Sequence, residues 1–159
     1  MERVMETARK NKKIGIVIMN FYAQLPFDPQ SDSQVFIYAC QVGNLDVVQA
    51  MVMLNADGRY EYDACDNMAI KLACYYGHLD VVKFLAEALK VDVSVNQDVP
   101  LRYAARAGHT DICEYLLTFP HVSCVSVNFD PYRQAKRFGH ERTAEMLLAA
   151  QKRQRGDRS

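Results

Sequence analysis

Val99-Pro100-Leu101-Arg102-Tyr103-Ala104-Ala105-Arg106-Ala107-Gly108-His109-Thr110-Asp111-Ile112-Cys113-Glu114-Tyr115-Leu116-Leu117 encodes two short amphipathic helices and the turn between them. Counted from Gly108, Leu101, Ala104 and Ala105 at −7, −4 and −3 share one face of a first helix. Ile112, Cys113, Tyr115 and Leu116 at +4, +5, +7 and +8 share one face of a second. A glycine at the junction takes the left-handed conformation that ends one helix and turns the chain back. Small residues at −4 and −3 let the two helices approach closely.

The same arrangement recurs. Ala39-Cys40-Gln41-Val42-Gly43-Asn44, Ala73-Cys74-Tyr75-Tyr76-Gly77-His78 and Ala135-Lys136-Arg137-Phe138-Gly139-His140 align with the segment around Gly108, and the four glycines are spaced 34, 31 and 31 residues apart. Position −7 carries Phe36, Ile70, Leu101 and Tyr132, and +4 carries Val47, Val81, Ile112 and Thr143. Positions +7 and +8 are Ala50-Met51, Phe84-Leu85, Tyr115-Leu116 and Met146-Leu147. One such pair is too small to bury its own apolar face, so neighbouring pairs must stack into a solenoid.

These residues resemble the ankyrin repeat, whose pattern is roughly T-P-L-H-x-A-A-x-x-G-H-x-[DE]-[VI]-V-x-x-L-L. The segment 99–117 matches at most defining positions, as does Gly77-His78-Leu79-Asp80-Val81-Val82-Lys83-Phe84-Leu85. The resemblance covers about residues 33–150 and implies an all-α fold, a helix-turn-helix solenoid with short inter-repeat links. Tetratricopeptide repeats have a similar period but lack the Gly-His turn. There are departures from the pattern. Ile37, Lys71, Arg102 and Arg133 stand where the family has histidine, so the usual Thr–His network is absent. Helix starts are expected instead at Asp130-Pro131, where a cap precedes a proline, and at Asp66-Asn67 or Ser33. The shorter spacings imply reduced links at Val93–Asn96 and Cys124–Asn128, and a stability below that of an idealised array.

The expected layout is one domain over 1–154, with repeats at 33–62, 66–95, 97–126 and 129–154. Residues 2–25 read as a degenerate N-terminal helix pair turning at Asn11, with Val4, Ala8, Ile18 and Met19 at repeat positions. A single helix followed by a strand-like run is the alternative. Leu25 to Asp32 is a linker, and 155–159 a disordered tail whose Arg-Gly-Asp is read as chance.

The formal net charge is zero, but residues 33–131 hold 6 Lys and Arg against 12 Asp and Glu, while 132–159 hold 8 against 3. That asymmetry is solvation, or two surfaces with different neighbours. The five cysteines include no CxxC and no zinc spacing, so neither a disulfide framework nor a metal site is indicated. Equivalent buried positions for Cys40 and Cys74 suit a reducing compartment. No membrane span and no convincing signal peptide are seen, and the protein is expected to be intracellular: cytoplasmic, or nuclear, or in a host cytoplasm if it is an effector.

No catalytic residue and no cofactor are expected. The glycines are solitary and periodic, which excludes a phosphate loop. His78, His109 and His140 recur at one position, where the resemblance implies that they brace the turn. Asp80 and Asp111 suit the positive end of a second helix. Cys113 reads as core; Cys65 and Cys124 are expected to be more exposed, without an activating base.

The resemblance implies a non-enzymatic module, an adaptor, inhibitor or effector, that binds a protein partner on the concave face of a monomer. The positions just before each glycine belong to that face: Gln41, Val42, Tyr75, Tyr76, Arg106, Arg137 and Phe138, joined by Tyr60 and Tyr62 from a link. Tyr and Arg dominate interface energetics. Simple packing between repeats is the competing reading for Tyr75 and Phe138. The alternatives are a nucleic-acid or anionic-membrane binder using the basic C-terminal repeat, with nucleic acid disfavoured by the few charges, or a small enzyme on the same scaffold.

Overall fold

A computed structural model describes residues 12–27, 31–55, 64–125 and 130–156. Their helices are α1 (Lys12–Ala23), α2 (Asp32–Gln41), α3 (Leu45–Leu54), α4 (Ala64–Tyr76), α5 (Leu79–Glu87), α6 (Val95–Ala107), α7 (Thr110–Leu116), α8 (Pro131–Arg137) and α9 (Glu141–Arg155). No strand occurs among the described residues. First helices α2, α4, α6 and α8 pack in one row, and α1, α3, α5, α7 and α9 in a second. The core lies between the rows. Position −7 supplies Phe36, Ile70 and Leu101, and +8 supplies Met51, Leu85, Leu116 and Leu147, all buried. Burying each contributes roughly 1.5–3 kcal/mol, so periodicity translates directly into packing. Cys40 and Cys74 are buried at equivalent positions, as the alignment required.

Local chemistry sets the helix ends. Asp130 accepts the Tyr132 N–H at 2.9 Å, and Pro131 follows it into α8. Asn44 caps α3 by accepting from Val47 N at 3.1 Å. The expected Ser33 cap is replaced by Ser31, whose extended backbone lets Oγ accept from Gln34 N, with Asp32 and Ser33 already helical. The Asp66-Asn67 cap is also corrected. Helix α4 starts earlier, at Ala64, and Asn67 lies inside it at φ +56° with an Oδ1 that accepts no hydrogen bond among the described residues.

The link after α5 stays short by using left-handed residues. Asn96, Gln97 and Asp98 have φ of +54°, +62° and +59°, and the right-handed part of α6 follows them. Asn and Asp tolerate that region better than other non-glycine residues. Most of the other short link, beyond Val125, lies outside the described residues.

At the N-terminus, α1 belongs to the second row and packs on α3, so the run from Ile14 is helical and not strand-like. Its register differs from the one counted from Asn11. Ile18 is buried whereas Met19 is 51% exposed, so Ile18 fills the +8 role and the count runs from residue 10. Asn11 itself, and the first half of that pair, lie outside the described residues. At the other end α9 extends through Arg155 and closes on Gly156 at φ +76°, so helix replaces the start of the expected tail.

Candidate partner-binding surface

The residues at −2 and −1 end consecutive first helices, and because those helices lie side by side, their tips form a line. Val42, Tyr76 and Phe138 are 43%, 47% and 44% exposed. Tyr75, Arg106 and Arg137 are exposed too, while Gln41 is half-buried. Tyr60 and Tyr62 lie outside the described residues.

Two groups form along this line. Tyr75 stands edge-on to Tyr76 at 5.2 Å between ring centroids and to Tyr103 at 6.0 Å. Farther along, the Arg106 guanidinium lies 4.8 Å from the Phe138 ring centroid and Arg137 5.9 Å. Aromatic pairs of this kind are worth about 0.5–1.5 kcal/mol beyond burial, and exposed cation–π contacts about 0.5–1 kcal/mol. The Tyr75–Tyr103 and Arg106–Phe138 contacts act across repeats, so packing and exposure coexist in the same side chains. Tyr103, one turn before Arg106, was missed because −5 is not a turn position. Tyr38 occupies −5 in the first repeat and packs on Phe21 at 5.9 Å and Phe27 at 5.3 Å. Beside it, Phe21, Tyr38, Val42, Asn44 and Asp46 help line a cleft of about 670 Å³.

The recurrent histidines hold this line in place. The Nε2–H of His78 donates to the Gln41 carbonyl at 2.9 Å, and that of His109 to the Tyr75 carbonyl at 3.0 Å. Each therefore reaches back to the −2 residue of the preceding repeat. The glycine between them allows the approach: a Cβ on Gly77 would fall 2.5 Å from the His109 ring. Cβ atoms on Gly43 and Gly108 would likewise overlap the rings of His78 and His140. In the last turn Thr143, buried at the apolar +4 position, bonds Thr110 Oγ1 at 2.7 Å and donates to the Gly108 carbonyl at 3.2 Å.

The other chemically suggestive residues have structural partners. Asp80 and Asp111 each accept the N–H of the next residue, at 2.8 and 2.9 Å, at the starts of α5 and α7. Cys40, Cys74, Cys113 and Cys124 are free and buried. Burial pushes all four thiols up, Cys113 to about 12 and Cys124 to about 11, which keeps them protonated at neutral pH. The expected exposure of Cys124 is thus corrected. Helix α9 covers it, and Gln154 Oε1 accepts from both its N–H and its Sγ at 3.0 Å. The Cys65 side chain lies outside the described residues. Among the described residues, no group of three or more His, Cys, Asp or Glu could hold a metal ion. None of the described helices is long and apolar enough to cross a membrane.

A comparison with curated proteins found no match. A family model described as ankyrin repeats (3 copies) matches residues 18–97 and 36–130, which together make up most of the chain. The recurrent Gly-His turns, the two rows of helices and this match agree: the chain belongs to the ankyrin repeat family.

Proposed function

We propose that the protein is a non-enzymatic module, of the adaptor, inhibitor or effector kind, which holds a protein partner on the concave face of its stack. Ankyrin repeats are generally protein–protein interaction modules and typically non-enzymatic. The observation that carries the reading here is the line of exposed Tyr, Arg and Phe side chains interlocked across consecutive repeats. Its backbone is pinned by histidines from the following repeats. A surface already ordered before binding loses little entropy when it is covered. Gln41, Val42, Tyr75, Tyr76, Arg106, Arg137 and Phe138 belong to it, with Tyr60 and Tyr62 from the adjoining link and Tyr103 added by the geometry.

The repeats at 33–62, 66–95, 97–126 and 129–154, with 2–25 as a cap, act as one monomeric unit. A reducing, intracellular setting fits the four free buried thiols. Replacing Tyr75 and Tyr76 together by alanine is the test. The double variant should lose the partner that the full chain captures from lysate of the source cell, while its melting temperature moves by no more than a few degrees. A large fall in melting temperature would make the tyrosines structural.

A further inference from the structure

Charge divides unevenly between the two rows. Helix α8 carries Arg133, Lys136 and Arg137 and no acidic residue, and the exposed end of α6 carries Arg106. Across the stack, α7 carries Asp111 and Glu114 without a cation, and α5 sets Asp80 and Glu87 against a single Lys83, whereas α9 opens on Glu141 but also carries Arg142, Lys152, Arg153 and Arg155. Among the described residues Arg106 and Arg137 face the Phe138 ring, Lys136 faces Tyr132 at 5.9 Å, and no carboxylate pairs with Arg106, Arg133 or Arg137. The row of first helices thus ends in unneutralised cations around an exposed aromatic ring. Guanidinium groups of this kind bind carboxylates bidentately while stacking on rings.

We propose that Arg106, Arg133, Arg137 and Phe138 receive an acidic, extended segment of the partner protein. The proposal rests on the binding reading above and names the chemistry of what is bound. Neighbouring helices lie about 8–10 Å apart, so α6 and α8 together span roughly the length of six extended residues. A carboxylate-bearing segment of that size matches the number of cations. A nucleic acid fits less well. Its phosphates continue past the strip, where α7 presents Asp111 and Glu114 and no cation.

The test pans a displayed library of random 12-residue peptides on the full chain, then measures the recovered peptides by fluorescence anisotropy. Enrichment in Asp and Glu is expected, with binding at least tenfold weaker to the Arg106→Glu, Arg137→Glu double variant. Both side chains are exposed, so that variant should melt as the parent does. If it does not fold, Arg106→Gln with Arg137→Gln takes its place and should also weaken binding. Recovered peptides that are neutral or basic, or that bind both variants as the parent, overturn the acidic partner and leave the protein-binding reading standing. Recovery of no peptide overturns both. A 20-nucleotide single strand that binds more tightly than any recovered peptide overturns the proposal in favour of a nucleic acid.

Discussion

At the scale of single residues, Gly77 answers two demands at once. Its φ of +86° excludes most side chains, and the His109 ring occupies the space a Cβ would need. Gly139 meets only the first demand: its φ is +79°, and nothing lies within 4 Å of where a Cβ would stand. Alanine at Gly139 should therefore cost about 1–2 kcal/mol, the left-handed penalty alone. At Gly77 alanine should cost clearly more, since the ring must also leave the Tyr75 carbonyl. Urea titrations of the two variants compare them directly, and equal costs would deny the ring contact any weight. The turns were legible in the sequence because the glycine recurs. Its partnership with a histidine in the following repeat was not, since that contact joins residues far apart in the chain. A second residue-scale effect depends on pH. Burial raises the Asp98 carboxyl above the ordinary 3.8, against the opposing Ser123 N–H and the nearby His121 and Arg102. Above 3.8 the native state thus holds its proton longer than the unfolded chain does, and stability falls as pH rises through that window. Asp98→Asn, which suits the left-handed backbone equally, should raise the melting temperature at pH 7 and lose that advantage below about pH 4. A lower melting temperature for the variant at pH 7 would show that the carboxylate's bond to Ser123 outweighs its burial.

At the scale of elements, α9 does more than end the stack. Gln151 donates to the Cys124 carbonyl at 2.8 Å and to Asp130, the residue that caps α8. Gln154 donates to the Val122 carbonyl at 3.1 Å while receiving the Cys124 N–H and thiol. Two glutamines one helical turn apart thereby fasten the described part of the preceding link, and the cap of α8, to the last helix. Gln154→Ala leaves Cys124 N and the Val122 carbonyl without these partners, at a cost of roughly 1–3 kcal/mol. It should also speed labelling of Cys124 by a thiol reagent in the native protein, with Cys40, Cys74 and Cys113 still protected. Mass spectrometry of the labelled chain identifies which thiol reacts; unchanged protection of Cys124 would mean that α9 stays seated without the bond. This fastening could not be read from sequence. Gln151 and Gln154 fall among the polar residues a terminal helix needs for solubility, and only the path of the link reveals their partners. The register of α1 was hidden for a related reason. Without a glycine to mark the turn, the alignment rests on Asn11 as its stand-in, and only the burial of Ile18 beside the exposure of Met19 moves the count one residue earlier.

For the whole molecule, stacking in two rows makes stability a sum over neighbours, because among the described residues each pair packs mainly on the pairs beside it. The position of a defect should then matter as much as its size. Leu101 and Leu147 are both fully buried leucines. Replacing either by alanine removes about 2–5 kcal/mol, yet the consequences should differ. Leu101 lies in α6, between α4 and α8, so its loss weakens two interfaces and every element depends on the repair. Leu147 lies in α9, with no further pair beyond it. Hydrogen exchange followed by mass spectrometry should show faster exchange throughout the described helices in Leu101→Ala. In Leu147→Ala the change should stay within residues 130–155, with α2 to α5 exchanging at parental rates. Uniform acceleration in both variants would show a stack that unfolds only as a whole. The distinction bears on binding as well. The proposed surface runs from Gln41 at the end of α2 to Phe138 at the end of α8, so an occupant that reaches Arg137 and Phe138 bridges the interface that Leu147→Ala loosens. A bound acidic peptide should therefore restore protection to residues 130–155 in that variant, with the largest gain in α8, since a ligand that binds only the closed stack stabilises it by mass action.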